Sequence, residues 1–317
     1  MEQARGYKSQ VVIDFEDAFG QDPATPAGIL MPINSWDVKA ERNLTTPQTI
    51  TGSRNPVQPI RGNLTVGGNA VVPVDYLSFG WWLRAMFGPP TTTGTGPYVH
   101  TFKLGDTQPS LVACKKEVVG ATSYYTKQNG IKISTLGLTV GGDGELTASL
   151  GVVGATEDET GTTAYDETPS SSGFARAQNF QSSITEGGSS IATVTQLAIN
   201  ANMGLDTSQY VVGGGGVLGD IPEGIVSVDG SLTALFSDLT LAGKAYDGTE
   251  SALILTLTDG THTLAVHVPE LEYKLAGRSL SGPGGVMQEL GFVGFFGDGA
   301  DASVLKVVLT NSIASYA

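Results

Sequence analysis

The sequence predicts a mainly β protein in which one unit occurs twice in tandem, each copy flanked by a single short helix. Three observations predict it. Apolar residues alternate with polar ones in short runs: Leu64 and Val66; Ile131 and Ile133; Leu253, Leu255 and Leu257; Leu264, Val266 and Val268. A period of two puts such side chains on one face of a strand. Glycine is abundant, at 43 residues, and charged residues make up only 15%, which suits short strands joined by tight turns. Finally, two long stretches of the chain can be laid on one another.

The overlay runs through four elements. Arg61-Gly62-Asn63-Leu64-Thr65-Val66-Gly67-Gly68 matches Glu223-Gly224-Ile225-Val226-Ser227-Val228-Asp229-Gly230, and each stretch leads toward a helix. A strand follows each helix, Leu111–Cys114 in the first copy against Ala252–Leu255 in the second. A hairpin closes the match without a gap: Gly137, Gly142, Gly144, Leu150, Gly151, Val153 and Gly154 correspond to Gly277, Gly282, Gly284, Leu290, Gly291, Val293 and Gly294.

The stronger helix is predicted from Asp75 to Phe87. Asp75 can accept from the free N–H groups of the first turn, Gly88 tolerates a positive φ, and Pro89-Pro90 stops continuation. The weaker one runs from Asp238 to Tyr246 and ends at Asp247-Gly248. The copies have diverged here. The first has Trp81 and Trp82 on its helix and an insertion around Thr91–Gly96.

These signals divide the chain into an N-terminal arm at 1–30, a first β domain at 31–153, a linker or extended loop at 154–190, and a second β domain with C-terminal tail at 191–317. The arm is polar, with Pro23 and Pro26 near its exit. The linker holds Glu157-Asp158-Glu159 and Ser170-Ser171-Ser172-Gly173 and few apolar residues.

Lys and Arg total 17 against 31 Asp and Glu, a net charge of −14. Such a surface is expected to repel nucleic acid, ordinary solubility being the competing reading of the same charge. The lone cysteine, Cys114, follows an apolar run and reads as a buried thiol. The N-terminus lacks the apolar region of a signal peptide. The most hydrophobic stretch, Phe79–Phe87, is too short to span a bilayer and contains Arg84. The expectation is a soluble protein made in a cytoplasm, without a membrane partner.

Motifs of known chemistry fail on context. Gly214-Gly215-Gly216-Val217-Leu218-Gly219 fits the dinucleotide fingerprint in letters, but Asp220-Ile221-Pro222 follows instead of the helix that would face a pyrophosphate. Gly243-Lys244 lacks the rest of a P-loop. His262 and His267 have opposite parity on a strand, and His100 lies far away in sequence, so they make a poor ligand set. Asp298-Gly299-Ala300-Asp301 reads as a turn rather than half a calcium loop. Phe79, Trp81, Trp82 and Phe87 have no basic groove beside them and read as core between helix and sheet rather than as a base-stacking platform. No catalytic, cofactor-binding or metal-binding residue is expected, and no enzymatic activity.

The motifs, in their order, resemble the major tail tube proteins of long-tailed, siphovirus-type bacteriophages. In the first half the resemblance rests on Ser53-Arg54-Asn55-Pro56, on Arg61–Gly68, on Val72-Pro73-Val74-Asp75 leading into the helix, on Tyr98-Val99-His100-Thr101-Phe102, and on Pro109-Ser110-Leu111. In the second half it rests on Val194–Asn202 and on Gly230–Phe236. It covers roughly residues 30–310.

The resemblance implies two tandem tube-type β-sandwich or partial-barrel domains. It implies a structural virion protein, assembled in the host cytoplasm, that closes into rings and stacks into a tail tube through which DNA passes. The partners it implies are further copies of the chain and the tape-measure and tail terminator proteins. Because each chain carries two units, a homotrimer with pseudo-sixfold symmetry is expected, a six-chain ring being the alternative. Carboxylates lining the lumen would repel phosphate. The arm and the 91–97 loop are expected to contact neighbouring rings, and their deletion to leave the domains folded. A carbohydrate-binding or adhesin β-module and the inner tube of a contractile injection system are the competing readings.

Overall fold

The computed structural model describes residues 2–278 and 284–316. Among them, nineteen strands and two α-helices follow one another. The first half contains β1 (Gln10–Phe15), β2 (Ile29–Met31), β3 (Ser35–Trp36), β4 (Lys39–Thr45), β5 (Ile60–Pro73), α1 (Phe79–Phe87), β6 (Thr91–Thr93), β7 (Tyr98–Lys103), β8 (Leu111–Val119), β9 (Thr122–Val140), β10 (Thr147–Gly154) and β11 (Thr156–Gly161). The second contains β12 (Ser182–Glu186), β13 (Ser189–Ser190), β14 (Val194–Asn202), β15 (Ser227–Leu235), α2 (Thr240–Asp247), β16 (Ser251–Thr258), β17 (Thr263–Tyr273), β18 (Met287–Gly294) and β19 (Lys306–Asn311). The strands pair antiparallel, and the sheet is open rather than closed into a barrel.

The ladders reproduce the duplication pair by pair. In the first half Val66 faces Gly154, Ala70 faces Leu150 and Pro73 faces Thr147. In the second half Val228 faces Gly294, Leu232 faces Leu290 and Leu235 faces Met287. These are the partners that the overlay of Gly62 on Gly224 and of Gly154 on Gly294 requires. The strands after the helices agree too, with one correction. Leu111 pairs with Ile131 and Ala113 with Gln128 across a bulge, while Ser251 pairs with Leu271 and Leu253 with Val268 across a bulge at the same place. Leu111 therefore corresponds to Ser251, one residue before the position expected from sequence.

The same logic shows where each copy begins, and it overturns the arm. β1 covers the outer edge of β8, with Ile13 opposite Ala113, as β12 covers β16, with Glu186 opposite Leu253. Val11 and Ile13 are buried. Residues 10–15, expected in a free arm, and residues 182–186, expected in a linker, are thus the opening strands of the two copies. The rest of the expected linker is laced onto the first half. β11 pairs with β9, Tyr165 Oη donates to Asp14 at 2.8 Å, the Ser170 N–H donates to the Gly28 carbonyl at 2.8 Å, and the Tyr76 N–H donates to the Ala175 carbonyl at 2.8 Å.

In each copy one long strand changes partners along its length. The first part of β9 lies between β8 and β11, and its last part between β10 and β14. β17 repeats this, lying first between β16 and β19 and then beside β18. Leu136, Leu138, Leu150, Val152, Leu197, Ile199, Leu232 and Phe292 point from the strands into a buried cluster that draws on both halves. Each large apolar side chain so buried contributes about 1.5–3 kcal/mol.

α1 begins at Phe79, four residues later than expected. Asp75 holds the turn before it, Oδ1 accepting from the N–H groups of Leu77 at 2.7 Å and Ser78 at 2.6 Å. Phe79, Trp82 and Phe87 are buried, and Trp82 stacks on Trp36 with ring centroids 6.3 Å apart. α2 starts at Thr240, whose N–H donates to Asp238 at 2.8 Å, and ends at Gly248 with φ 61°.

The halves also exchange segments. β7, which follows the insertion in the first half, pairs with β19 along Tyr98–Lys103. In return Tyr316 inserts beside α1, its ring 5.0 Å from that of Trp81 and 4.8 Å from that of His100. Within the loop at 91–97, β6 pairs with β7 while residues 94–97 form the exposed turn between them.

Candidate functional site

The residues weighed as chemical sites lie apart. The Gly214–Gly219 loop leads into no helix. It lies on the first copy, where the Leu64 N–H donates to the Gly216 carbonyl at 2.7 Å and Leu218 and Ile221 pack near Ala155. Lys244 binds Glu186 at 2.6 Å. His100 is buried between Thr92 Oγ1 and the Ile313 carbonyl, each at 2.8 Å. His262 pairs with Asp259 at 2.9 Å in a turn, and His267 stands on β17. The Asp298–Asp301 turn is held by Glu270, whose carboxylate accepts from the N–H groups of Gly297 at 2.7 Å and Gly299 at 2.9 Å. Burial raises the Cys114 thiol above its ordinary range. Among the described residues no three His, Cys, Asp or Glu side chains could hold a metal ion, and no helix is long and apolar enough to cross a membrane.

What the strands do build is a two-faced sheet with open ends. Its order is β4, β5, β10, the end of β9, β14, β15, β18 and the end of β17. The step from β9 to β14 joins the first copy to the second edge to edge, from Thr135 opposite Asn202 to Val140 opposite Leu197. One face is the core. The other carries Thr65, Asn69, Thr135, Thr139, Ser149, Asn200, Asn202, Asp229 and Glu289, all exposed. By strand parity, the charged side chains on that face are Asp37, Glu41, Asp229, Glu272 and Glu289 against Lys39 and Lys274, the bulge between Arg42 and Leu44 turning Arg61 to the other face. Lys39 and Glu41 approach within 3.3 Å. At the rim, Asp143 and Glu145 join the hollow lined by Thr139, Thr147 and Asn179.

An ion pair between a buried lysine and a half-buried glutamate bridges the two copies. Lys132 Nζ, on β9, lies 2.7 Å from Glu223 and donates to the Ile221 carbonyl at 2.8 Å. The Gln108 N–H also donates to Glu223, at 2.8 Å. Burial pushes the Glu223 carboxyl up, but the bonds from Lys132 and Gln108 outweigh it and hold the group below its ordinary range.

Both ends of the sheet lack a strand partner among the described residues. β4 pairs only on its β5 side, and Leu275–Arg278 continue from β17 without a ladder. Sequence reasoning could not find these edges, because an edge is defined by what is missing beside it.

A family model described as phage tail tube protein matches residues 6–294 of the chain. No curated protein matches it.

Proposed function

Because the chain belongs to the phage tail tube protein family, we propose that it builds the tail tube of a long-tailed phage by closing into rings that stack, leaving a lumen through which DNA passes. The observation that carries this reading is the β9–β14 ladder. It joins two copies of one unit head to tail, and repeating a head-to-tail contact until it closes gives a ring. Exposed sheet edges find partners in the process. Three chains supply six units, so the ring is a homotrimer with pseudo-sixfold symmetry. A six-chain ring with the second copies outside is the competing stoichiometry, and the shared sheet of the two copies favours three.

In this arrangement the polar face of the sheet lines the lumen. Its carboxylates outnumber its cations, so DNA phosphates meet no adhesive surface. The tape-measure protein occupies the lumen during assembly in the host cytoplasm, and a terminator caps the last ring. The role is structural, and no catalytic step is assigned to any residue. Symmetry analysis of assembled particles by electron microscopy tests the reading. Threefold rings are expected. True sixfold density for the whole chain would remove the trimer, and a chain forming neither rings nor tubes would remove the whole proposal.

A further inference from the structure

We propose that the outer edge of β4 is the docking strand for residues 275–278 of a second copy of this chain, in one defined register, and that Gln128 and Glu157 hold that edge closed until the second copy arrives. The inference rests on the ring reading and specifies its contact.

The register follows from the junction inside the chain. There Leu136 faces Ala201 and Leu138 faces Ile199. The Met203 N–H donates to the Ser134 carbonyl at 2.8 Å, so the hydrogen-bonded pairs are Leu136 with Ala201 and Leu138 with Ile199. β17 is the counterpart of β9, which makes Leu136 equivalent to Ala276. β14 is the counterpart of β3 and β4: Gln196 faces Thr233 and Asn202 faces Ser227, as Ser35 faces Val71 and Glu41 faces Thr65. Transferring the junction to the free ends sets Ala40 opposite Ala276 and Val38 opposite Arg278 as hydrogen-bonded pairs. It sets Lys39 opposite Gly277 and Glu41 opposite Leu275 as the pairs between them.

The β4 edge already carries a substitute for that strand. The Asp37 N–H donates inward, to the Asn69 carbonyl at 2.9 Å, so Val38 and Ala40 direct their backbone groups outward. Gln128 Nε2 donates to the Val38 carbonyl at 2.9 Å, and Glu157 Oε2 accepts from the Ala40 N–H at 3.1 Å. Gln128 also donates to Glu157, at 2.6 Å. These are the backbone positions whose counterparts, Ile199 and Ala201, bond to β9. In the second copy the counterparts of Gln128 and Glu157 are Val268 and Leu305, both fully buried. The polar pair thus occurs only in the copy whose edge has no strand beside it, and it satisfies groups that would otherwise be unpaired.

A second surface fits the same occupant. At the junction the loop between β14 and β15 covers the first copy, Tyr210 Oη donating to the Leu64 carbonyl at 3.1 Å. Its counterpart, the loop between β4 and β5, is exposed along almost its whole length and carries Ile50 at 98% exposure. The matching surface of the second copy presents Ile225 at 94% and Phe296 at 60%. Docking in the proposed register brings these apolar groups together.

The test uses the full-length chain carrying Lys39→Cys and Gly277→Cys; the native Cys114 is buried. A pair without hydrogen bonds brings Cα atoms to about 4.5 Å, within disulfide reach. Oxidation of assembled particles is expected to give covalent three-chain species that reduction removes. The control, Lys39→Cys with Arg278→Cys, places its thiols on opposite faces and is expected not to link. Normal rings in which the first pair stays unlinked, or in which the control links instead, overturn the register and leave the ring reading standing. A chain that stays monomeric at every concentration overturns both.

For the cap, Gln128→Val with Glu157→Leu installs the residues of the second copy. It is expected to lower the concentration at which rings appear by about tenfold, since two competing hydrogen bonds no longer have to be broken. Glu157→Gln weakens the cap at constant shape and should act in the same direction if the double variant fails to fold. An unchanged or higher concentration with Glu157→Gln overturns the cap.

Discussion

Two residues show how tightly the copies are fitted together. Gly80 lies on α1 directly under Tyr316, and a Cβ there would meet the ring at 2.3 Å. The ring cannot retreat, because Trp81, His100 and Phe102 surround it. Gly80→Ala should therefore destabilise the fold by about 1–3 kcal/mol through overpacking, read as a lower urea midpoint, although alanine is the better helix former. The second residue is Glu223. Its carboxyl is held below the ordinary 4.5 of a glutamate, so its contribution to stability is complete above that value and is lost as the pH falls toward the folded value. The thermal midpoint is expected to drop on acidification below about 4.5, with a shallower slope in Glu223→Gln. Identical slopes in the two proteins would show that the bond to Lys132 contributes nothing.

At the scale of elements, strands whose side chains alternate were legible in the sequence, and those held by their backbone were not. The hairpin glycines, the strands around Leu253–Leu257 and Leu264–Val268, and both helices follow from local pattern. β1 carries Val11 and Ile13 in alternation, but its polar flanks gave it the character of an arm. β12 has one apolar residue, Ile184, and reads as linker for the same reason. The lacing of residues 162–178 rests on backbone carbonyl and N–H groups and on scattered polar side chains such as Tyr165 and Asp166, which follow no period that would announce it. The surface that matters for assembly was illegible as well, since a free edge exists only relative to its neighbours. The correction of the arm changes the result expected from truncation. Removing residues 2–15 strips Val11 and Ile13 from the core and uncovers β8, a loss of about 3–6 kcal/mol. The shortened chain should lose stability before any effect on ring stacking can be read. A truncated protein with the parental urea midpoint would restore the arm.

For the whole molecule, the net charge of −14 sets only solubility and sign. The fold decides which carboxylates face the same way. Asp229 and Glu289 lie on adjacent strands of the polar face, on the same side by pleat, and neither takes part in the ion pair that bridges the copies. They occupy exposed positions, so replacing them leaves the core intact. Asp229→Lys with Glu289→Lys turns the balance on that face from five carboxylates against two cations to three against four. In the proposed three-chain ring the change repeats around one lumen, which would multiply its effect on a polyanion inside. Double-stranded DNA would then be retained by the tube rather than repelled. Retention should weaken steeply with salt, as counterion release requires. The measurement is DNA co-sedimenting with assembled tubes at low and high salt, the parental tube and a tube with Asp17→Lys and Glu250→Lys, exposed positions off that face, serving as references. Retention by the polar-face variant alone supports a lumen lined by this face. Equal retention by both variants would place Asp229 and Glu289 on the outside, and the face assignment would fall even if the rings stood.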